Sequence, residues 1–335
     1  MYVPILKAKL GEKEGIAQLT EEVQDNILPL FEIPLDQVNN KDKKISPVTS
    51  HWKNREFFLD FSADCHADEF SLEDFFGKFD KINSKFAIPV FHLNYSNEVC
   101  ERLRLKSENG YALRVTTNEV MDEDFKDVFG EFSKRTPIKD TFLIIDVGEL
   151  KADTLNTSIF TAKGAIESIP QLAEFKNIVV SSCSFPKTFQ GFDKHEFILI
   201  NRLESVFYNR LSKQLSDLNI IHSDYCVNHC SDFEFVLGMQ PSFNIRYTTK
   251  TEFLIYKGDT LKKAGLAFEN VQDACEKLCS HQLYMGRDYS WGDSMINKIA
   301  FKEVDKGGSL TTWRAYGTNH HITFMVNQLA NQSDS

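Results

Sequence analysis

Glu32 sits at the centre of the run LPLFEIPLD, residues 28–36, surrounded by leucine, phenylalanine, isoleucine and proline. A carboxylate buried alone is expensive, so this one needs a partner. Other short apolar runs end in the same way, on a polar residue: Lys7, Asp60, His92 with Asn94, Arg114, Asp146, Ser181 or Ser182, and Asp224. These residue types can do chemistry together. Glu32 and Asp60 could hold Mg2+ or Mn2+. His92 could act as general acid or base, and Arg114 could grip phosphate oxygens through paired N–H groups. Lys7 would add a second phosphate contact, and Asn94, Asp146 and Asp224 extend the polar surface. The reaction expected of such a set is metal-dependent hydrolysis of a phosphodiester, as in a nuclease. An inert layer in which Lys7 and Arg114 neutralise the carboxylates satisfies the same need for partners. A glycosidase is disfavoured, because the fourth and seventh runs end in His92 and a serine pair where that reaction needs carboxylates.

The elements that position these residues follow from the runs themselves. VPILKAK (3–9), LPLFEIP (28–34), EFFLDFS (56–62), FAIPVFHLN (86–94), YALRVTT (111–117), TFLIIDVG (141–148), NIVVSSCS (177–184) and NIIHSDYC (219–226) read as buried strands. Helical spacing fills most intervals: SLEDFFGKFDKI, with Ser71 and Asp74 placed like a capping box, then NEVCERLRLKS, DEDFKDVFGEFSKR, TAKGAIESIPQLAEF with a kink at Pro170, and ESVFYNRLSKQLSDL. Alternation through eight strands predicts an α/β fold, a (β/α)8 TIM-type barrel over residues 1–228. An open doubly wound sheet is the rival, but KAKLGEKEG after the first strand lacks the glycine spacing of a phosphate loop. The interval between the second and third strands is polar and weakly helical. Side chains two apart on a strand share a face, so Leu30 and Glu32, Phe58 and Asp60, Val90 and His92, Ala112 and Arg114, and Ile144 and Asp146 go together. Their polar ends are expected to ring the C-terminal mouth, where barrel enzymes carry their sites. Residues 229–335 read as an α+β appendage, a hairpin followed by helices.

The formal net charge of −10 argues against loose binding to a nucleic-acid backbone and leaves room for a local basic pocket. With 28 phenylalanines a large aromatic core is available. No run is long enough to span a membrane, and MYVPILKAKLGEKEG is not a signal peptide. The seven scattered cysteines are expected to be reduced thiols in a cytoplasmic protein. Zinc at Cys226–Cys230 or Cys275–Cys279 is disfavoured by the spacing; the second pair fits a helix stripe as well. His320 and His321 are expected to point apart, either with one at the barrel mouth or with one capping and one solvated.

The segments MYVPILKAKLGE and LPLFEIP, with LRV, IIDVG, RYT at 246–248 and TWRAYGTNHH near the end, resemble the beta protein family of phages, prophages and bacterial mobile elements. The resemblance implies a cytoplasmic protein in a phage–host conflict setting, such as an anti-phage defence component. It carries over no catalytic assignment. Arg246, Tyr247, Trp313, Arg314 and His320 lie in its C-terminal patches; Arg246, Tyr247, Arg314 and His320 are added to the expected substrate-binding set. The expected partner is a phosphate-bearing ligand or nucleic acid. A non-catalytic module recognising a ligand, a phage protein or a defence-system protein is the alternative.

Overall fold

The computed structural model describes residues 1–33, 48–61, 72–231, 241–260 and 267–333. Eight parallel strands close into a barrel: β1 (Tyr2–Leu6), β2 (Leu30–Glu32), β3 (Phe57–Asp60), β4 (Ala87–Phe91), β5 (Tyr111–Thr116), β6 (Thr141–Glu149), β7 (Asn177–Cys183) and, after β8 elsewhere, β9 (Ile220–Asp224). β1 closes the ring by pairing with β9, Val3 opposite Ser223. The (β/α)8 architecture expected from the alternating runs is the one observed. These strands are buried on both faces, which is why they appear in the sequence as continuous apolar runs.

Helices α1 (Leu10–Ala17), α2 (Glu21–Asp25), α3 (Leu72–Ile82), α4 (Asn97–Arg104), α5 (Thr117–Met121), α6 (Phe125–Arg135), α7 (Leu155–Ser168) and α8 (Leu203–Gln214) fill the intervals. Their ends are written locally. Ser96 accepts from Val99 N at 3.3 Å to start α4, and Thr116 with Glu119 forms a capping box at α5. Phe125, Phe129 and Phe132 bury one stripe of α6. The kink expected at Pro170 is instead a stop: α7 ends at Ser168 and Ile169 is extended, as the residue before a proline prefers. Ser71 and the side chain of Asp74 lie outside the described residues, as does most of the interval after β2, whose described end is a short turn at Val48–Ser50.

The chain divides into two compact units. The first comprises Met1–Ala8, Leu28–Ser184 and Leu203–Tyr225; the second comprises Lys9–Ile27, Phe185–Arg202 and Cys226–Ser335. The expected hairpin, β10 (Ser242–Thr248) with β11 (Glu252–Thr260), forms in the second unit and gains a third antiparallel strand, β8 (Phe197–Asn201). Helices α9 (Phe268–Cys279), α10 (Trp291–Ala300) and α11 (Leu310–Ser333) pack with this sheet around Phe243, Tyr247, Leu254, Val271, Ile296 and Trp313. Cys275 is wholly buried in that core, and both it and Cys279 are free thiols. Helix α1 lies close against α11 at its glycines. A Cβ on Gly11 would stand 2.6 Å from Thr311 O, and one on Gly15 would stand 2.7 Å from Ala315 O.

Candidate functional site

At the C-terminal ends of the barrel strands a polar layer is organised by one side chain. Arg114, on β5, donates from Nη1 to Glu32 Oε2 at 2.9 Å and to Asp60 Oδ2. Its Nη2 donates to Asp146 Oδ2 and to the Tyr225 hydroxyl, each at 2.6 Å. Tyr225 in turn donates to Asp146. Lys7 pairs with the other oxygen of Glu32, and His92 Nε2 stands 2.8 Å from Asp60 Oδ1. Lys7, Glu32, Asp60, His92, Arg114 and Asp146 are thus brought together as strand alternation requires. Glu32 therefore has its partners. Asp60 is fully enclosed at 0 % exposure, whereas Lys7, Glu32, His92, Arg114 and Asp146 keep 7–8 %.

The charges settle accordingly. Burial pushes the Asp60 carboxyl up, but His92 and Arg114 outweigh it and hold it down at about 2. Asp146 is likewise held below the carboxylate range: burial opposes this, and Arg114, the Tyr225 hydroxyl and the Gly148 N–H outweigh burial. Burial works against the Arg114 charge as well, yet Tyr225, Asp146, Asp60 and Glu32 keep it firmly protonated. Burial raises the Tyr225 phenol far above its usual range, so it stays a donor. Two cations face three carboxylates, so this cluster carries one excess negative charge with a neutral His92 and balances when His92 is protonated.

Two chemical properties follow. With Nε2 donating to Asp60, the proton-accepting nitrogen of His92 is Nδ1, which meets no hydrogen-bond partner among the described residues. The same oxygen count bears on Mg2+ or Mn2+: both oxygens of Glu32 and both of Asp60 already face an N–H of Lys7, Arg114 or His92. A divalent ion there would compete with two fixed cations.

The other expected site residues lie elsewhere. Asn94 is exposed in the turn after β4. Asp224 occupies the opposite face of its strand from Tyr225; it accepts from the Tyr2 hydroxyl at 2.5 Å and stands 3.3 Å from His222 Nε2. Ser181 and Ser182 are buried. Arg246, Tyr247, Arg314 and His320 belong to the second unit. There Tyr247 stacks on His320 at 3.8 Å and donates to Asp293 at 2.8 Å. His320 Nδ1 and Nε2 stand 2.8 Å from the Asp293 carboxylate and the Thr248 carbonyl. Both His320 and His321 are fully buried, so the expectation of one capping and one solvated histidine fails; the strand–helix packing of the second unit encloses both. Tyr225 was missed by the sequence reading. The signal was available, since Ser223 and Tyr225 share the face opposite to Asp224.

The Beta protein family profile matches residues 2–327. Protein beta of Enterobacteria phage P4 is 23 % identical over 347 residues, which span 97 % of this chain and 92 % of the phage protein. Among the described residues no helix is long and apolar enough to cross a membrane.

Proposed function

The chain belongs to the Beta protein family, and from that premise we propose that it acts in phage–host conflict, as a defence component, through a ligand site at the barrel mouth. The ligand proposed is a phosphate-bearing small molecule, a nucleotide or a nucleic-acid end, and the reaction proposed is hydrolysis of its phosphoester. One observation carries this reading: His92 is held through Nε2 by an enclosed, permanently ionised Asp60, leaving Nδ1 as a base. Such a dyad is the arrangement used to take a proton from an attacking water and return it to a leaving group. Lys7 meets the anion. Arg114 is not the phosphate grip, because both its Nη atoms are committed to protein acceptors. That commitment also favours a second reading, in which the closed network is a rigid floor for recognition of a ligand or phage protein without turnover.

Calorimetry and product analysis separate the two. Wild-type protein and His92→Gln are incubated with nucleotides, tRNA and DNA, with and without Mg2+ or Mn2+. The hydrolase reading expects turnover by the wild type that is lost in His92→Gln. Binding without product, unchanged in His92→Gln, would instead establish the recognition module.

A further inference from the structure

The three-stranded sheet of the second unit, ordered β10–β11–β8, ends on an open strand. Both faces of β11 are enclosed: Leu254 and Tyr256 are buried on one, Phe253 and Ile255 on the other. β8 differs. Its run FILIN carries neither a charge nor a proline. Leu199 is 54 % exposed although it lies opposite the buried Leu254. Edge strands are usually guarded by lysine, proline or a covering element, because a bare edge recruits another strand.

The hydrogen-bond register tells which backbone groups are bare. Arg202 N donates to Thr251 O at 2.9 Å, and the pairing continues with Ile200 opposite Phe253 and Ile198 opposite Ile255. Bonds alternate along an antiparallel ladder, so Ile198 and Ile200 commit their N–H and C=O groups to β11. Phe197, Leu199 and Asn201 turn theirs to the other side, where no strand pairs with them among the described residues. The open stretch ends near His195, which has a φ of 66° and donates from N to Lys257 O out of register. What completes such an edge chemically is another extended strand.

We propose that β8 is a dimerisation strand, pairing antiparallel with β8 of a second copy of this chain about a two-fold axis at Leu199. The choice of partner follows from the symmetry of the bare groups. Pairing centred on Leu199 sets that residue against its own copy, and Phe197 of each chain against Asn201 of the other. Every outward N–H and C=O of the strand is then satisfied. Ile198 and Ile200 of the two chains meet across the same seam, which brings no like charges together. One sheet runs through both copies, and the two exposed Leu199 side chains cover each other. This interface does not rest on any ligand at the barrel mouth.

The test measures the mass of the full chain by sedimentation over a wide range of concentrations, with Leu199→Lys and Leu199→Cys alongside. Wild-type protein is expected to dimerise reversibly as concentration rises. Leu199→Lys sets two ammonium groups face to face at the centre of the seam. It should raise the dissociation constant about tenfold or more, while dilute protein melts as the wild type does. Leu199→Cys should form a disulfide-linked dimer on mild oxidation, and the wild type, with its native cysteines, should not. The opposed residues of a hydrogen-bonded pair have Cα atoms about 5.5 Å apart, within disulfide reach. If Leu199→Lys fails to fold, the Leu199→Cys cross-link decides alone. A dimer untouched by Leu199→Lys, or one in which Leu199→Cys does not cross-link, would overturn the proposal. So would a chain monomeric at every concentration, which would leave the edge to an extended segment of another protein.

Discussion

Arg114 decides how the barrel's charged layer behaves, because four acceptors depend on one guanidinium. Lysine keeps the charge but offers a single ammonium that cannot span Glu32, Asp60, Asp146 and Tyr225. Arg114→Lys should therefore cost about 3–5 kcal/mol at neutral pH, the range for a broken buried pair. The acid limb of stability should change as well. Asp60 is held at about 2 in the fold, below the roughly 4 of an unfolded aspartate. A depressed carboxyl stabilises the fold above its unfolded value, and that contribution is lost as pH falls from about 4 towards about 2. Urea unfolding of wild type and Arg114→Lys from neutral pH to pH 2 should show a steeper loss in the wild type over that interval. Parallel curves would mean that Asp60 does not rely on Arg114.

At the scale of elements, what was legible depended on whether the information is local. The eight barrel strands could be read because burial on both faces writes each of them as an apolar run. The face of Arg114 and its neighbours followed from the two-residue period. β8 could not be read this way: FILIN is partly exposed and pairs with β11, whose sequence lies some distance on. Nor could any local pattern show that the glycines of α1 answer the backbone of α11. That contact makes a paired prediction. Gly15→Ala places a Cβ against Ala315 O and should destabilise by about 1–3 kcal/mol. Gly164→Ala, at an exposed position of α7 with nothing within 4 Å, should stabilise by about 0.5–1 kcal/mol. Thermal melts of the two single variants should move in opposite directions; a shift of the same sign in both would refute the close approach of α1 and α11.

For the whole molecule the order of the segments matters more than their content. The second unit is assembled from Lys9–Ile27, Phe185–Arg202 and Cys226–Ser335. A fragment ending at residue 228 keeps every barrel strand but strips α1 of α11 and β8 of β11. It should expose apolar surface and be degraded by a dilute protease under conditions that leave the full chain intact. A soluble 1–228 fragment that melts cooperatively and resists the protease would contradict this.

Asn319 donates to the Gly15 carbonyl across 304 residues of sequence, and this separation is also an interval of time. At about 5–20 residues per second of synthesis, α1 leaves the ribosome roughly 15–60 s before the helix that receives it. For that interval the start of the chain is ready and its counterpart does not yet exist. The glycine seam closes only on a chain translated to its last helix. A copy cut short anywhere before α11 carries the vacant seam at its N-terminal end, where a protease or chaperone can detect it.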